Sequence, residues 1–218
     1  MSSIRITAEK LRAAMQGPRW TVDPTGIDLS AARPSAVVIP VELEPEPRVY
    51  LVLRSSHLAD HAGEFAFPGG KKDDADENLR ATAAREMLEE VRVHEHEMEW
   101  LGELSPIPVI TGRYIIHPFV GLLHAGVELH AASEEVAEIV AMPILPIVTG
   151  NEQIRGITTT WNGVEAFLPH FLIGERILYG ATAYLMYELL LRIAAALNCS
   201  LAAPIVEPQA PWTQRYTR

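Results

Sequence analysis

The sequence predicts a mixed α/β, or α+β, fold in which helices cover a mixed β-sheet within one main domain. Its 218 residues are enough for one large domain with a sizeable core. Runs of β-favouring residues, such as 35–43 and 114–123, are interspersed with amphipathic helical segments. Because their order lacks a strict strand–helix–strand repeat, the sheet is expected to contain strands of both directions.

Three helices are predicted from apolar residues that recur every three or four positions. The first spans 7–16 with Thr7 as its N-cap, the second spans 77–92 and the third spans 181–198. Strands are predicted where apolar and β-branched residues cluster between turn residues, at 35–43, 48–55, 64–67, 100–108, 114–123 and 163–173. A short strand followed by the start of a helix is predicted within 134–149.

These elements divide the chain into three parts. An N-terminal helix and irregular arm occupies 1–34, the main domain occupies 35–200, and a C-terminal tail occupies 201–218. The tail contains three prolines, so we expect it to form a loose arm.

Composition excludes several classes of function. The 18 basic and 28 acidic residues give a net charge of −10, which disfavours binding to nucleic acid and means that an anionic substrate would need a divalent cation. The single cysteine, Cys199, excludes an intrachain disulfide and fits a reducing cytoplasm. The first residues lack the apolar core of a signal peptide, and Glu188 and Arg192 interrupt the apolar stretch 181–205, so no membrane span is expected.

The predicted helix at 77–92 concentrates negative charge on one side. At about 100° per residue, Glu89 and Glu90 lie at roughly −60° and +40° from Glu86, so three carboxylates share one stripe. The apolar residues of the helix fall on the opposite face: Ala84, Met87, Leu88 and Val91. Three such oxygen ligands suit Mg²⁺ or Mn²⁺, while a solvated acidic surface is the alternative explanation. Arg85 is spaced to pair with Glu89.

A glycine segment ahead of the helix makes the metal hypothesis more specific. Phe67-Pro68-Gly69-Gly70 combines a rigid turn with two residues that let the backbone approach a ligand or fold tightly against the helix. The pattern Arg85-Glu86-x-x-Glu89-Glu90 begins fifteen residues after Gly70.

Together the two segments resemble the signature box of the Nudix hydrolases. The box has a glycine, an acidic residue and then Arg-Glu-apolar-x-Glu-Glu, and its counterparts here are Gly70, Asp76 or Glu77, Arg85, Glu86, Met87, Glu89 and Glu90. One residue is extra, since Asp76 keeps the first interval and Glu77 the second, and Arg92 replaces a later glycine. The resemblance implies a Nudix-like α/β/α sandwich with a mixed central sheet. It also implies metal-dependent hydrolysis of a nucleoside diphosphate linked to another group.

The flanking sequence, over residues 35–195, resembles the coenzyme A diphosphatase branch of this family. The matching positions are Arg54-Ser55, His61, Gly63 and Phe67–Gly70, while an arginine of the branch pattern falls at Ala59. This resemblance implies coenzyme A or acyl-coenzyme A as the first substrate. The products would be adenosine 3′,5′-bisphosphate and 4′-phosphopantetheine.

The resemblance also implies roles for individual residues. It implies that Mg²⁺ or Mn²⁺ is bound by Glu86, Glu89 and Glu90, with Glu135 as a candidate extra carboxylate. For catalysis it implies a general base that is one of the glutamates or a carboxylate from another loop. Glu89 is the candidate within the box, and Glu86 and Arg85, which orients the glutamates, act with it. Substrate binding is assigned to Arg54, Gly69, Gly70 and Lys71, with surface salt bridges as the alternative for Arg54 and Lys71.

Two alternatives to coenzyme A hydrolysis stay open. One is the same chemistry on ADP-ribose, a dinucleotide or a nucleoside triphosphate. The other is a Nudix module that binds a nucleotide without turnover, although such a module would not need an intact Arg85-Glu86-x-x-Glu89-Glu90. The expected partner is a small nucleotide in the cytoplasm, without nucleic acid or membrane, and a homodimer is an assembly that the family allows.

Overall fold

An eight-stranded mixed sheet forms the centre of the protein, whose computed structural model describes residues 4–18, 27–161 and 164–212. Its strands are β1 (Arg33–Glu42), β2 (Arg48–Arg54), β3 (Phe65–Ala66), β4 (Gly69–Lys71), β5 (Met98–Glu103), β6 (Ile107–Pro108), β7 (Tyr114–Leu123) and β8 (Val136–Pro143). The main path runs β3-β2-β1-β7-β5, while β4, β6 and β8 pair with β1, β7 and β2. Strands β1 and β7 are parallel and the other pairs are antiparallel. The predicted mixed sheet is therefore confirmed.

Four helices accompany the strands: α1 (Ala8–Met15), α2 (Leu79–Val91), α3 (Leu145–Val148) and α4 (Gly180–Ala196). Thr7 caps α1 as predicted, since its hydroxyl accepts the N–H of Lys10 at 3.3 Å. Helix α2 begins two residues later than predicted because the Asn78 side chain accepts the N–H of Ala81 at 3.0 Å and caps it.

The sheet is covered on both faces. On one side, Ile39 and Val41 of β1 belong to a core cluster that includes residues of α1 and α4. On the other side, Val38 belongs to a cluster with Met87 of α2. Successive side chains of a strand point to opposite faces, so β1 is buried from both directions. The helices and sheet form the expected α/β/α sandwich.

A second sheet lies at the C-terminal end of the chain and was only partly predicted. It contains β9 (Arg155–Trp161), β10 (Val164–Ile173), β11 (Arg176–Leu178) and β12 (Ile205–Val206), in the order β11-β10-β9-β12. Only β10 was expected from sequence. The prediction of a loose arm is wrong for Ile205–Val206, because these residues form β12 and pair with β9. Residues 1–3 and 19–26 of the predicted arm and 213–218 of the tail lie outside the described residues.

The charged residues of α4 belong to the protein interior. Glu188 is fully buried and accepts hydrogen bonds from the hydroxyl of Ser105 at 2.8 Å and from Arg192 at 2.6 Å. A second Arg192 nitrogen donates to the carbonyl of Gly17 at 3.3 Å. Within the described residues, no helix is long and apolar enough to cross a bilayer.

Candidate active site

The two glycines of β4 bring this strand directly against helix α2. The N–H of Gly69 donates to Oε2 of Glu90 at 3.1 Å. A Cβ on Gly70 would lie 2.2 Å from Oε1 of Glu86, and a Cβ on Gly69 would lie 2.3 Å from the carbonyl oxygen of Ala36. Of the two uses that the sequence allowed for these glycines, the structure shows close packing, Gly70 against Glu86 of the helix and Gly69 against strand β1.

The three glutamates of α2 differ strongly in exposure. The side chain of Glu89 is 56% exposed and that of Glu86 is 16% exposed, while Glu90 is buried. The expectation that all three face away from the buried side is wrong for Glu90. The backbone of β4 reaches this carboxylate through the Gly69 N–H. The cluster therefore extends from solvent into the protein.

Negative charge in this cluster is incompletely compensated. Burial, together with the neighbouring charges of Glu86 and Glu135, raises the pKa of Glu90 to about 7, although the Gly69 N–H and Arg54 oppose the shift. Burial also raises the pKa of Glu86, against the opposing effect of Arg85. A cation at this place would favour the ionised carboxylates.

Arg85 connects the glutamates to the loop before the helix. Its Nη1 lies 3.1 Å from Glu89 and 3.0 Å from Glu86. Its Nε and Nη2 donate to the two carboxylate oxygens of Asp76 at 3.0 and 3.1 Å, and Nη2 also donates to the carbonyl of Lys71 at 3.2 Å. Arg85 thus orients two glutamates while its own position is fixed by Asp76.

The structure decides which acidic residue takes the place before the helix. Asp76 is buried, and its hydrogen bonds with Arg85 hold the pKa of its carboxyl well below the usual range. Glu77 is exposed. The extra residue of the box therefore lies after Asp76 and before Arg85, and the contacts between these two residues form despite it. At the other end, Arg92 stands in the left-handed conformation with φ 61°.

Glu135 is brought to the cluster by the Arg54-Ser55 pair. Ser55 donates its N–H to the carbonyl of Glu135 at 2.8 Å and its hydroxyl to that of Glu134 at 2.6 Å. Nη2 of Arg54 lies 3.6 Å from Oε2 of Glu135. Sequence reasoning missed the part played by Ser55, although its place beside Arg54 in the motif was a signal.

Lys71 lies apart from these carboxylates. Its ammonium nitrogen is 5.4 Å from the ring centroid of Tyr114, in a cation–π contact. Its backbone, however, takes part in the site through the hydrogen bond from Arg85. The structure therefore brings Arg54 to the acidic cluster but directs the Lys71 side chain elsewhere.

The carboxylate oxygens of this cluster are chemically suited to a hard divalent cation, but the side chains are not arranged around a common metal position. Three glutamates, two of them with raised pKa values, provide the oxygen ligands that Mg²⁺ and Mn²⁺ prefer. Within 4–18, 27–161 and 164–212, no three Asp, Glu, His or Cys side chains already converge as a metal-holding group. Here Arg85 bridges Glu86 and Glu89. Binding a cation would require these side chains to turn toward it.

Comparison with known proteins identifies a matching family and similar sequences. The family model described as the NUDIX domain matches residues 32–156. The protein named uncharacterized Nudix hydrolase NudL from Photorhabdus laumondii is 33% identical over 157 residues, which cover 72% of this chain and 83% of that protein. The protein of the same name from Escherichia fergusonii is 41% identical over 112 residues, covering 51% of this chain and 58% of that protein.

Solved structures include distant likenesses to this chain. The Ap4A hydrolase of C. elegans has a TM-score of 0.45 at 15% identity, covering 54% of this chain and 85% of that one. The NUDIX domain of Shewanella oneidensis NrtR, complexed with ADP ribose, has a TM-score of 0.45 at 20% identity, covering 59% of this chain and 82% of that one.

Proposed function

Because the chain belongs to the Nudix hydrolase family, we propose that it hydrolyses the diphosphate bond of a nucleoside diphosphate linked to another group, with Mg²⁺ or Mn²⁺ as cofactor. One observation carries this proposal. Glu86 and Glu90 meet the glycine strand β4, Arg85 bridges Glu86 and Glu89, and burial raises the pKa of both Glu86 and Glu90.

Each residue of the cluster has a role in this proposal. Glu86, Glu89 and Glu90 would hold the metal, with Glu135 as a further carboxylate. When bound, the metal would neutralise diphosphate oxygens and lower the pKa of a water molecule. Glu89 is the most exposed of the three helical carboxylates, so we assign it the removal of a proton from the attacking water.

Substrate contacts are proposed for the residues that border the cluster. The Arg54 side chain is 23% exposed beside Glu135, and we propose that its guanidinium meets a phosphate oxygen. Gly69 and Gly70 have no side chains that would need space in this part of β4. The Lys71 ammonium group would have to move away from the Tyr114 ring to contact an anion.

Coenzyme A or an acyl derivative is the first substrate proposed, with adenosine 3′,5′-bisphosphate and 4′-phosphopantetheine as products. The support is the sequence pattern from Arg54 to Gly70. Ala59, which lacks the positive charge of that pattern, is exposed. His61 lies two residues away, and the hydrogen bond from its Nδ1 to Glu64 at 2.9 Å raises its pKa, which favours a positive charge in this loop.

Two other functions stay open because the sequence departs from the family pattern at specific positions. Ala59 allows ADP-ribose, a dinucleotide or a nucleoside triphosphate as the substrate instead of coenzyme A. The extra box residue and Arg92 allow a module that binds nucleotides without turnover, although the Arg85 network favours catalysis. A homodimer and a cytoplasmic location stay predictions from the sequence.

A substrate panel tests the proposal. The protein would be incubated with Mg²⁺ or Mn²⁺ and coenzyme A, acetyl-coenzyme A, ADP-ribose, NADH, diadenosine polyphosphates or nucleoside triphosphates, with products resolved by chromatography. We expect cleavage of coenzyme A to its two phosphate products, its loss with EDTA and its recovery with added metal. In Ala59→Arg, the KM for coenzyme A should fall. Cleavage of only another compound would contradict the coenzyme A assignment, and no cleavage at all would contradict the enzymatic proposal.

A further inference from the structure

The loop 55–64 links several residues of the candidate site. It begins next to Arg54 and ends directly before β3 and the Phe67–Gly70 segment. Its two ends are joined at a neck, where the N–H of Arg54 donates to the carbonyl of Glu64 at 2.9 Å and the N–H of Gly63 donates to the carbonyl of Arg54 at 3.0 Å. The position of this neck therefore influences where the loop presents its side chains.

Glu64 ties the neck to a distant part of the chain. Its Oε2 is 2.9 Å from Nδ1 of His61 within the loop, and its Oε1 accepts the hydroxyl of Tyr179 at 2.7 Å. Tyr179 stands immediately before α4, and its side chain makes no capping hydrogen bond to that helix. Its hydroxyl is directed to the loop instead.

The ring of Tyr179 is in turn held by the C-terminal segment. Trp212 stacks on it with ring centroids 5.2 Å apart and an interplanar angle of 2°. Trp212 also meets His170 edge-on at 5.5 Å. The His170 side chain is only 1% exposed, and burial lowers its pKa, which favours the neutral ring under Trp212. The indole is thus seated on two aromatic partners.

The segment that carries Trp212 is held at its start by hydrogen bonds to β9 and to the residue before it. The N–H of Ile205 donates to the carbonyl oxygen of Ile154 at 2.9 Å, and the N–H of Glu207 donates to the carbonyl oxygen of Gly156 at 2.7 Å. The Glu207 carboxylate accepts from Arg155 at 2.7 Å. These contacts hold the start of the segment, Ile205–Glu207, without involving the loop.

We propose that Ile205–Trp212 is a strap that fixes the 55–64 loop for substrate binding through Tyr179 and Glu64. Tyr179 and Trp212 are then positioning residues: Trp212 sets the ring of Tyr179, and the Tyr179 hydroxyl sets Glu64 and, through it, the neck and His61. The role of the loop in binding rests on the proposed diphosphatase function, whereas the restraint on the loop does not.

Hydrogen exchange of the full chain tests the restraint without any substrate. Tyr179→Phe removes one hydroxyl and keeps the ring on Trp212. We expect amide exchange in 55–64 to become about tenfold faster, the effect of losing one hydrogen bond to a charged group. Tyr50→Phe is the matched control, since the Tyr50 hydroxyl donates to Glu42 at the same 2.7 Å, and it should leave the loop unchanged.

The strap itself is tested at Trp212. Trp212→Ala should accelerate exchange in the same loop, and Trp212→Phe, which keeps an aromatic ring on Tyr179, should restore most of the protection. Loop exchange equal to the wild type in both Tyr179→Phe and Trp212→Ala would overturn the strap.

Kinetics test the link to substrate. With the substrate that the panel identifies, Tyr179→Phe and Trp212→Ala should raise the KM by about five- to tenfold and change kcat by less than about twofold. An unchanged KM beside a faster-exchanging loop would overturn the positioning role. If the wild type cleaves no diphosphate, the proposed function fails, while the exchange experiment still decides the strap.

Discussion

At the scale of single residues, the site depends on two glycines that are needed for different reasons. A side chain on Gly69 would meet the backbone of Ala36 and Val37, which cannot move without shifting β1. A side chain on Gly70 would meet only the end of the Glu86 side chain, which can rotate. The first glycine therefore serves the fold and the second serves the placement of a carboxylate.

Substitution of these two glycines should give opposite phenotypes. Gly70→Ala should lower kcat by about 10- to 100-fold with little change in the melting temperature, because Glu86 is displaced. Gly69→Ala should lower the free energy of unfolding by about 1–3 kcal/mol, because the backbone must shift. Thermal melting and turnover of both variants check this, and full activity in Gly70→Ala would contradict the placement of Glu86 in the site.

The sequence identified these residues but not their surroundings. Helical periodicity correctly placed Glu86, Glu89 and Glu90 on one stripe. It could not show that Glu90 is buried, because the group that covers it, Gly69, lies 21 residues away and belongs to another element. Ser55 was missed for the same reason, since its partners at 134–135 are distant in sequence.

At the scale of elements, helix α2 is fixed in different ways at its two ends. Asn78 and the Asp76–Arg85 contacts hold its start. Spacing alone left Asp76 and Glu77 as alternatives, and only the burial of Asp76 separated them. At its end, Arg92 adopts φ 61°, a left-handed conformation that costs about 1–2 kcal/mol in residues other than glycine.

Replacing Arg92 by glycine should therefore stabilise the protein. We expect Arg92→Gly to raise the free energy of unfolding by about 0.5–1 kcal/mol, since the relief of strain exceeds the added flexibility of the unfolded chain. Urea denaturation measures this. Asn198→Gly is the control. Asn198 also has a left-handed backbone, with φ 54°, but asparagine tolerates this conformation, so the substitution should relieve little strain. A destabilised Arg92→Gly would mean that the side chain contributes more than its backbone costs.

At the scale of the whole molecule, most of the central sheet was predictable, apart from β4 and the division of 100–108 into β5 and β6, whereas only β10 of the C-terminal sheet was. Strands such as β7 carry continuous apolar runs and were recognised with the bounds 114–123. Strand β12 has only two residues and forms because it pairs with β9, which lies 50 residues earlier in the chain, whereas β9 itself pairs mainly with the neighbouring β10. Sequence showed Glu188 and Arg192 only as interruptions of an apolar run, because their further partners, Ser105 and Gly17, are distant in the chain.

Removal of Glu188 should destabilise the whole molecule. Glu188→Ala leaves the 5%-exposed Arg192 side chain without its buried carboxylate, so we expect the free energy of unfolding to fall by about 3–5 kcal/mol. The matched control is Glu99→Ala, which breaks the exposed pair with Arg12 and should have a much smaller effect. Equal effects in urea denaturation would contradict a structural role for the buried pair.

The measurement that tests the central claim most directly is diphosphate hydrolysis in Mg²⁺ by single glutamine variants of the three glutamates. Glu86→Gln, Glu89→Gln and Glu90→Gln should each lose at least about 100-fold in kcat while staying folded, because each removes a charged oxygen from the proposed metal site. Glu77→Gln, an exposed neighbour in the same segment, should keep wild-type activity. Wild-type rates in all three site variants would contradict the assignment of these glutamates to a catalytic metal site.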